Sequence, residues 1–468
     1  MKRNTAILVG IALLCGVGVT IVELGPQRVR QQQQLQAQQL LTVTAEEVEG
    51  LEIEEGNLAV SLVKDDSDRW QLLEPVEAPA EPLVVQSIIT VLTSADAPAI
   101  TGNTDANSGL EASTNEDTFS PDELEAFGLS TPQQTIVLRH AGGTSTIRVG
   151  GLTFDDTGQY LQVDDGPVRV LDIALTSQLS TSLFALRDKS LVDWTPDRVQ
   201  ALTVIGPDET VELDQQEGNW QLSDRPDVLL SDEAIADTLS QTQYLQASQF
   251  VAETQGNLAE YGLETPSLQI EVTLTDGSTQ TISIGEPVPG TPTARHAMSS
   301  ERTGIVAIEA STLEAIATTE LDLRDRSLGQ LSSALIGEIA ISSSDLSQDI
   351  TLSPSTAPDT TADQWDVSGQ SDRTIAIEEF LIPLQDARAN AFLPVDDPTA
   401  TSLLDSSAIS IRVSPVEGVA NDPLTLEFAP GDEVLYVRTS HIPDEILTLD
   451  LQYYELLIAA IGTLAPSS

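Results

Sequence analysis

The chain of 468 residues repeats one long pattern three times, and this repeat restricts its fold more than any other feature. Each copy opens with a segment in which every second residue is apolar, at residues 48–53, 199–204 and 336–341. Such alternation is typical of a half-buried strand. Next comes a pair of strands, the second of which carries a tryptophan that we expect to anchor the core. A helical segment follows this pair. The tryptophans are Trp70, Trp220 and Trp365, and the helical segments lie near residues 80–95, 231–248 and 375–391.

The second half of the pattern is carried by a short motif that ends a helix. It reads Phe-Gly-Leu-Ser-Thr-Pro at residues 127–132 and Tyr-Gly-Leu-Glu-Thr-Pro at residues 261–266. In the first copy, Ser120 is a predicted N-cap, Gly128 suits the left-handed position after the helix, and Leu129 can fold back onto it. The Thr-Pro pair forces an extended exit into a strand.

Two hairpins and a closing motif complete each of the first two copies. The closing motif is Leu-Arg-Asp-[Lys/Arg]-Ser-Leu at residues 186–191 and 323–328, and the third copy lacks it. The sequence therefore predicts an α+β protein in which three tandem repeats, each an antiparallel sheet packed with helices, follow an N-terminal transmembrane helix. The predicted boundaries are a membrane anchor at 1–25, a Gln-rich stalk at 26–43, and repeat units at 44–196, 197–331 and, degenerate, 332–463.

The membrane anchor is predicted from residues 5–22, which carry no charge and are long enough as a helix to cross a bilayer. A cleaved signal peptide is the alternative. Basic residues tie in number on the two sides, but Arg3 lies closer to the apolar run than Arg28, which favours an external body. We expect a single-pass protein of the plasma or inner membrane, with its body facing the periplasm or exterior. The single cysteine, Cys15, lies in the anchor, so the body cannot form disulfides.

These motifs, in this order, resemble the bacterial family of domains of unknown function numbered 4340. The strand ends Ile-Arg-Val-Gly at residues 147–150 and Ile-Ser-Ile-Gly at residues 282–285 belong to the same set. The resemblance covers residues 44–330 well and the third copy weakly. It implies a membrane-anchored, envelope-facing protein, and some members accompany ABC-type export and gliding-motility components. The family has no established catalytic residues, so none is carried over.

The formal net charge of −52 arises from 73 acidic and 21 basic residues. Residues 1–30 hold four basic residues and one acidic residue, so the remainder of the chain carries the acidity. This balance excludes nucleic acid as a partner, because phosphate contacts need clustered Lys and Arg. Two explanations stay open: adaptation to a saline medium that screens repulsion, or a surface charge that keeps the protein soluble.

The side chains that could carry chemistry form no recognisable site. The three histidines, His140, His296 and His441, fall at unmatched places in the copies, which argues against a zinc site. Carboxylate pairs suggest either Ca²⁺ ligands or, as we prefer, solvated turns. These pairs are Asp65-Asp66, Asp155-Asp156, Asp164-Asp165 and Asp396-Asp397.

The recurring Arg-Asp pair of the closing motif has two interpretations. Arg187-Asp188 and Arg324-Asp325 either face a partner or form a structural corner in which the arginine caps helix carbonyls or pairs with a carboxylate at the junction to the next copy.

We therefore assign no catalytic, cofactor-binding or metal-binding residue and no cofactor. The sequence favours a non-enzymatic scaffold or accessory subunit of a membrane assembly. The resemblance alone implies that this assembly is of ABC-transporter type. Its expected partners are the membrane, through the N-terminal helix, and other proteins of that assembly. The alternative function is a ligand- or glycan-binding module of the envelope.

Overall fold

A computed structural model describes residues 39–100, 119–343, 349–355, 364–368, 370, 374–407, 409–419 and 422–464. The predicted anchor, Cys15, most of the predicted stalk and the polar insertion at 101–118 lie outside these ranges. Among the residues described, no helix combines the length and the apolar character needed to cross a membrane.

Strands make up most of the described structure, with short helices between them. In the first copy the strands are β1 (Val48–Glu55), β2 (Leu58–Lys64), β3 (Trp70–Glu74), β4 (Ala78–Pro79), β5 (Gln134–His140), β6 (Gly143–Leu152), β7 (Gly158–Val163) and β8 (Val168–Asp172). In the second copy they are β9 (Val199–Ile205), β10 (Thr210–Gln216), β11 (Asn219–Leu222), β12 (Gln249–Ala252), β13 (Leu268–Leu274), β14 (Thr279–Val288), β15 (Thr291–Ser299) and β16 (Ile305–Glu309). In the third copy they are β17 (Ile336–Ser342), β18 (Ile350–Pro354), β19 (Gln364–Val367), β20 (Thr374–Ala376), β21 (Ala391–Pro394), β22 (Ile409–Pro415), β23 (Leu424–Pro430), β24 (Val434–Thr439) and β25 (Ile442–Asp450).

The helices that follow the tryptophans lie at corresponding places in the three copies. In chain order, the described α-helices are α1 (Pro82–Ser94), α2 (Pro121–Ala126), α3 (Ile173–Thr176), α4 (Leu183–Leu186), α5 (Asp232–Gln243), α6 (Glu320–Leu323), α7 (Ile377–Gln385), α8 (Pro398–Ser407) and α9 (Gln452–Leu464). The predicted helices after the tryptophans, α1, α5 and α7, all exist, although α5 and α7 are shorter than the apolar pattern suggested.

Each copy contributes an antiparallel sheet in which two meanders lie side by side. The strand order is β4-β3-β2-β1-β5-β6-β7-β8 in the first copy and β20-β19-β18-β17-β22-β23-β24-β25-β21 in the third. In the second copy, the order β11-β10-β9-β13-β14-β15-β16 repeats it. The opening strand of each copy pairs with the first strand of its second meander, as Ile53 does with Ile136. The predicted repeat of antiparallel sheets with helices is thus present in the fold.

The described chain divides into two compact units, each with its own apolar core. Unit 1 comprises the described residues up to Ser190 together with Gln246–Glu253, and unit 2 comprises Leu191–Leu245 and the described residues from Thr254 onward. In unit 1, the inward residues of β1 and β5 and one face of α1 share a core. Ile53, Ile88 and Ile136 are fully buried there, which explains the period of two in the strands.

The helix-ending motif has the predicted geometry. Ser120 caps α2 by accepting the backbone N–H of Glu123, and Gly128 has a φ of 71°. The N–H of Leu129 donates to the carbonyl of Leu124 at 2.8 Å, and Leu129 is buried. Because only glycine adopts this φ without steric cost, Gly128 lets the chain reverse tightly at the end of a short helix.

The glycine that ends the next strand accommodates this reversal. A Cβ on Gly150 would lie 2.3 Å from the carbonyl oxygen of Phe127, and a Cβ on Gly285 would lie 2.1 Å from that of Tyr261. By strand register, the corresponding residue of the third copy is Ala429, which is buried. Since the third copy has lost the helix-ending motif, the requirement for glycine has gone with it.

The tryptophans differ in burial, which corrects the expectation that all three anchor a core. Trp70 and Trp365 are buried, whereas Trp220 is only partly buried. In the first and third copies a short strand, β4 or β20, covers the strand that carries the tryptophan. In the second copy β11 is the outermost strand of its sheet, so the Trp220 ring keeps part of its surface in solvent.

Candidate functional site at the copy junctions

Arg187, from the closing motif of the first copy, is held at the end of the short helix α4. Ser182 caps this helix by accepting the N–H of Ala185 at 3.1 Å, and the backbone of Arg187 bridges to Ala80. The guanidinium donates to both carboxylate oxygens of Glu253, at 2.7 and 2.9 Å. Its Cζ lies 3.5 Å from the ring centroid of Phe250 on β12, so one planar group is both paired and stacked.

Arg324, at the corresponding place in the second copy, repeats this arrangement. Its Cζ lies 3.5 Å from the ring centroid of Phe392 on β21, and its two Nη atoms donate to the carboxylate of Glu445. The backbone of Arg324 bridges to Leu230, just as Arg187 bridges to Ala80. Phe250 and Phe392 occupy matching strands, but Glu253 follows its strand whereas Glu445 lies on β25.

Both arginines are buried, with side-chain exposures of 9% for Arg187 and 5% for Arg324. A buried cation is tolerated only when it is paired and hydrogen-bonded, which the two glutamates provide. The Nε atoms of both arginines meet no hydrogen-bond acceptor among the described residues. Of the two interpretations of the Arg-Asp pair, these contacts favour the corner: each arginine pairs with a carboxylate, Arg187 within unit 1 and Arg324 within unit 2.

Arg324 also lines a cleft in unit 2 with a volume of about 670 Å³. Glu320 contacts both Arg324, at 3.6 Å, and Arg225. The backbone N–H of Glu320 donates to Glu209 at 2.6 Å. The charged residues of the lining are Glu209, Asp227, Glu320, Asp444 and Glu445 against Arg225 and Arg324. The excess of carboxylates makes this cleft suited to a cationic group rather than an anion.

The aspartate of the closing motif makes a second contact in unit 2. His441 Nε2 lies 2.7 Å from Asp325 Oδ2, and the backbone N–H of Ser327 donates to Oδ1 of the same carboxylate at 2.9 Å. Burial acts to raise the pKa of Asp325, but the hydrogen bonds from His441 and Ser327 outweigh it, so the pKa is lowered from 3.8 to about 2. Asp325 therefore stays ionised and fixes His441 beside it.

The remaining histidines lie apart from this pair. His140 contacts Ser145 at 3.3 Å in the turn of its own hairpin. His296 is buried and meets the ring of Tyr261 edge-on at 5.0 Å between centroids. Each histidine therefore has a local role in a different part of the fold.

Three of the carboxylate pairs bond to their own turns, whereas Asp164 accepts the backbone N–H of Thr146 on β6 at 2.8 Å. Asp65 accepts the N–H groups of Ser67 and Arg69, and these hydrogen bonds lower the pKa of Asp65. Asp155 accepts the hydroxyl of Thr153 at 2.7 Å. In the described part of the chain, no group of three or more His, Cys, Asp or Glu has the arrangement of a metal site.

Two features of the junctions were missed from the sequence. The phenylalanine and the glutamate partners stand on strands far along the chain from their arginines, and the two glutamates occupy different positions relative to the repeat. The repeated phenylalanine, at residues 250 and 392 in short apolar segments, was the only available signal. An arginine motif alone does not indicate which carboxylate will reach it.

Comparison with known protein families gives a match over most of the body. The family described as "Domain of unknown function (DUF4340)" matches residues 70–228 and 220–406, two overlapping regions that begin at Trp70 and Trp220. The second region extends into the third copy. No curated protein and no solved structure matches the chain.

Proposed function

Because the chain belongs to the DUF4340 family, we propose that it is a non-enzymatic, membrane-anchored protein of the cell envelope that acts as a scaffold or accessory subunit of a membrane assembly. The observation that carries the proposal is that the arginines of the closing motif contact other parts of the same chain. These arginines are buried in two matching junctions, each paired and stacked within the chain. Buried side chains that are paired and stacked in this way hold elements in place within each unit, and this structural use of the motif supports a scaffold.

The finer architecture belongs to the same proposal. Residues 5–22 form a single transmembrane helix, the Gln-rich segment after it is a stalk, and three repeat units with helices packed on each sheet face the periplasm or exterior. Alkaline carbonate extraction of native membranes tests the anchor. The full chain should remain in the pellet, and a variant lacking residues 5–22 should be released. Release of both would contradict an integral anchor.

The scaffold role is tested by affinity purification of the full chain from detergent extracts at native expression, followed by mass spectrometry. We expect the same membrane proteins to be recovered in constant proportion, and to be lost with the variant that lacks residues 5–22. Recovery of the chain alone would overturn the scaffold role. An assembly of ABC-transporter type is one outcome of this test, and the support for it is the resemblance alone.

A ligand-binding function is the second candidate, and the cleft beside Arg324 favours it. The cleft is large enough for a small molecule, and its excess of carboxylates selects a cationic or amine-bearing ligand. Thermal shift measurements with amino sugars and simple amines test this function. A rise in melting temperature that disappears in Asp227→Asn would support ligand binding. If none of these probes raises the melting temperature, ligand binding is contradicted and the scaffold role remains.

A further inference from the structure

The strand β11 presents an open backbone edge in the second copy. The N–H of Ser223 donates to the carbonyl of Glu212 at 3.0 Å, in register with the pairing of Leu222 and Leu213. Bonded and non-bonded pairs alternate in an antiparallel ladder, so the N–H and C=O groups of Trp220 and Leu222 point away from β10. Within the described residues, these outward groups make no backbone hydrogen bond.

The corresponding groups are occupied in the other two copies. In the first copy, the N–H of Ala80 donates to the carbonyl of Trp70 at 3.0 Å, and β4 covers β3. In the third, Trp365 pairs with Ile375 on β20. The segment after β11, Ser-Asp-Arg-Pro-Asp at residues 223–227, forms turns instead of a covering strand. The fold therefore has a place for one more strand that the second copy does not fill itself.

We propose that this edge, formed by Trp220 to Leu222, binds an extended basic segment of a partner protein by strand addition. Main-chain hydrogen bonds to an exposed edge supply affinity in this mode of recognition, and side-chain contacts supply selectivity. The partly exposed ring of Trp220 provides an apolar contact directly at the edge.

The charge around the edge decides the kind of occupant. Residues 210–227 contain five acidic residues and one basic residue, and the basic residue, Arg225, is already paired with Glu320. A second copy of this chain would bring an equally acidic edge, and the two would repel each other. A basic strand is attracted by the same carboxylates. The source of such a strand rests on the proposed scaffold role, whereas the edge itself does not.

A synthetic octapeptide of alternating lysine and valine, labelled with a fluorophore, tests the proposal on the full chain in detergent. We expect saturable binding by fluorescence anisotropy that weakens with added NaCl, and no binding of the matched glutamate–valine peptide. Hydrogen–deuterium exchange should show new protection of the amides of Trp220 and Leu222 when the basic peptide is added. Protection elsewhere only, or equal binding of both peptides, would overturn the proposal.

A pair of variants separates backbone pairing from loss of the ring. Trp220→Ala removes the ring and keeps the outward N–H, whereas Trp220→Pro removes both. Loss of one main-chain hydrogen bond predicts about tenfold weaker peptide binding for Trp220→Pro than for Trp220→Ala. Equal binding would overturn strand addition, and so would dimerisation of the chain through this edge without peptide. If Trp220→Pro does not fold, the exchange measurement on the unaltered chain still decides. Failure of the peptide test leaves the purification test of the scaffold role unaffected.

Discussion

At the scale of the residue, each junction depends on the shape of a guanidinium. Arg324 presents a flat, rigid donor set to Glu445 and a flat face to Phe392 at the same time. A lysine carries the same charge, but its ammonium can neither donate in parallel to two oxygens nor stack as a plane. The closing motif keeps arginine at this position in both complete copies, whereas the residue two positions later is Lys189 in one and Arg326 in the other.

We expect Arg324→Lys to lower the free energy of unfolding of unit 2 by about 1–3 kcal/mol, because one charge-assisted hydrogen bond and the stacking contact are lost. Urea unfolding monitored by tryptophan fluorescence measures this change. Arg412→Lys is the matched control, since Arg412 is exposed on β22. It should change stability by less than about 0.5 kcal/mol. Equal effects of the two variants would show that the junction tolerates any cation.

Asp325 predicts a pH dependence of stability. Its pKa is lowered from 3.8 to about 2 in the folded chain, so the carboxylate stabilises the fold fully above pH 4. This contribution is lost as the pH falls through about 2. A shift of this size corresponds to about 2 kcal/mol. The stability difference between the wild type and Asp325→Asn should therefore be largest near neutral pH and should shrink between pH 4 and pH 2.

Thermal unfolding over this pH range provides the measurement. Asp432→Asn, at an exposed turn of the same unit, removes one carboxylate without touching His441 and so controls for net charge. A stability difference for Asp325→Asn that stays constant down to pH 2 would contradict the assignment of Asp325 as the ionised partner of His441.

At the scale of the element, the sequence predicted the strands and helix ends whose signals come from neighbouring residues. The apolar alternation located β1, β9 and β17, and the cap residues located α2 and its left-handed end, because these signals act over a few positions. The absence of a covering strand beside β11 could not be predicted, because pairing is set by the tertiary path of the segment after it. For the same reason the partners of Arg187 and Arg324 were not found from the sequence.

The motif glycine that ends β6 gives a prediction at this scale. A methyl group at Gly150 would collide with the carbonyl oxygen of Phe127, which the helix-ending turn holds in place. We expect Gly150→Ala to cost about 1–3 kcal/mol, as overpacking does. At Gly151 the same methyl group would lie 3.6 Å from that oxygen, an ordinary contact. Thermal unfolding of both variants should therefore show a clear loss for Gly150→Ala and a small change for Gly151→Ala.

At the scale of the whole molecule, the acidity of the body is the dominant property. A net charge of −52 opposes compaction unless counterions screen it, and described basic residues such as Arg438 are already held in local ion pairs, here with Glu427 and Asp405. We expect the melting temperature to rise when NaCl is raised from about 0.1 M to about 1 M, over which the Debye length falls from about 10 to about 3 Å.

The shape of this salt response distinguishes its causes. Screening saturates once the Debye length is shorter than the spacing of surface charges, so the rise should level off. A rise that continues in proportion to salt would instead indicate exclusion of salt from the surface. A melting temperature independent of NaCl would rule out adaptation to a saline medium and leave solubility as the reason for the charge.

The two arginine junctions follow the same order along the chain. In each, the end of one copy supplies the cation, and the following copy supplies the aromatic ring and the carboxylate. The third copy supplies the ring and the carboxylate for Arg324, but it carries no Leu-Arg-Asp-[Lys/Arg]-Ser-Leu motif of its own. A complete copy duplicated before the third one would therefore carry both the ring and carboxylate for the arginine before it and an arginine for the copy after it.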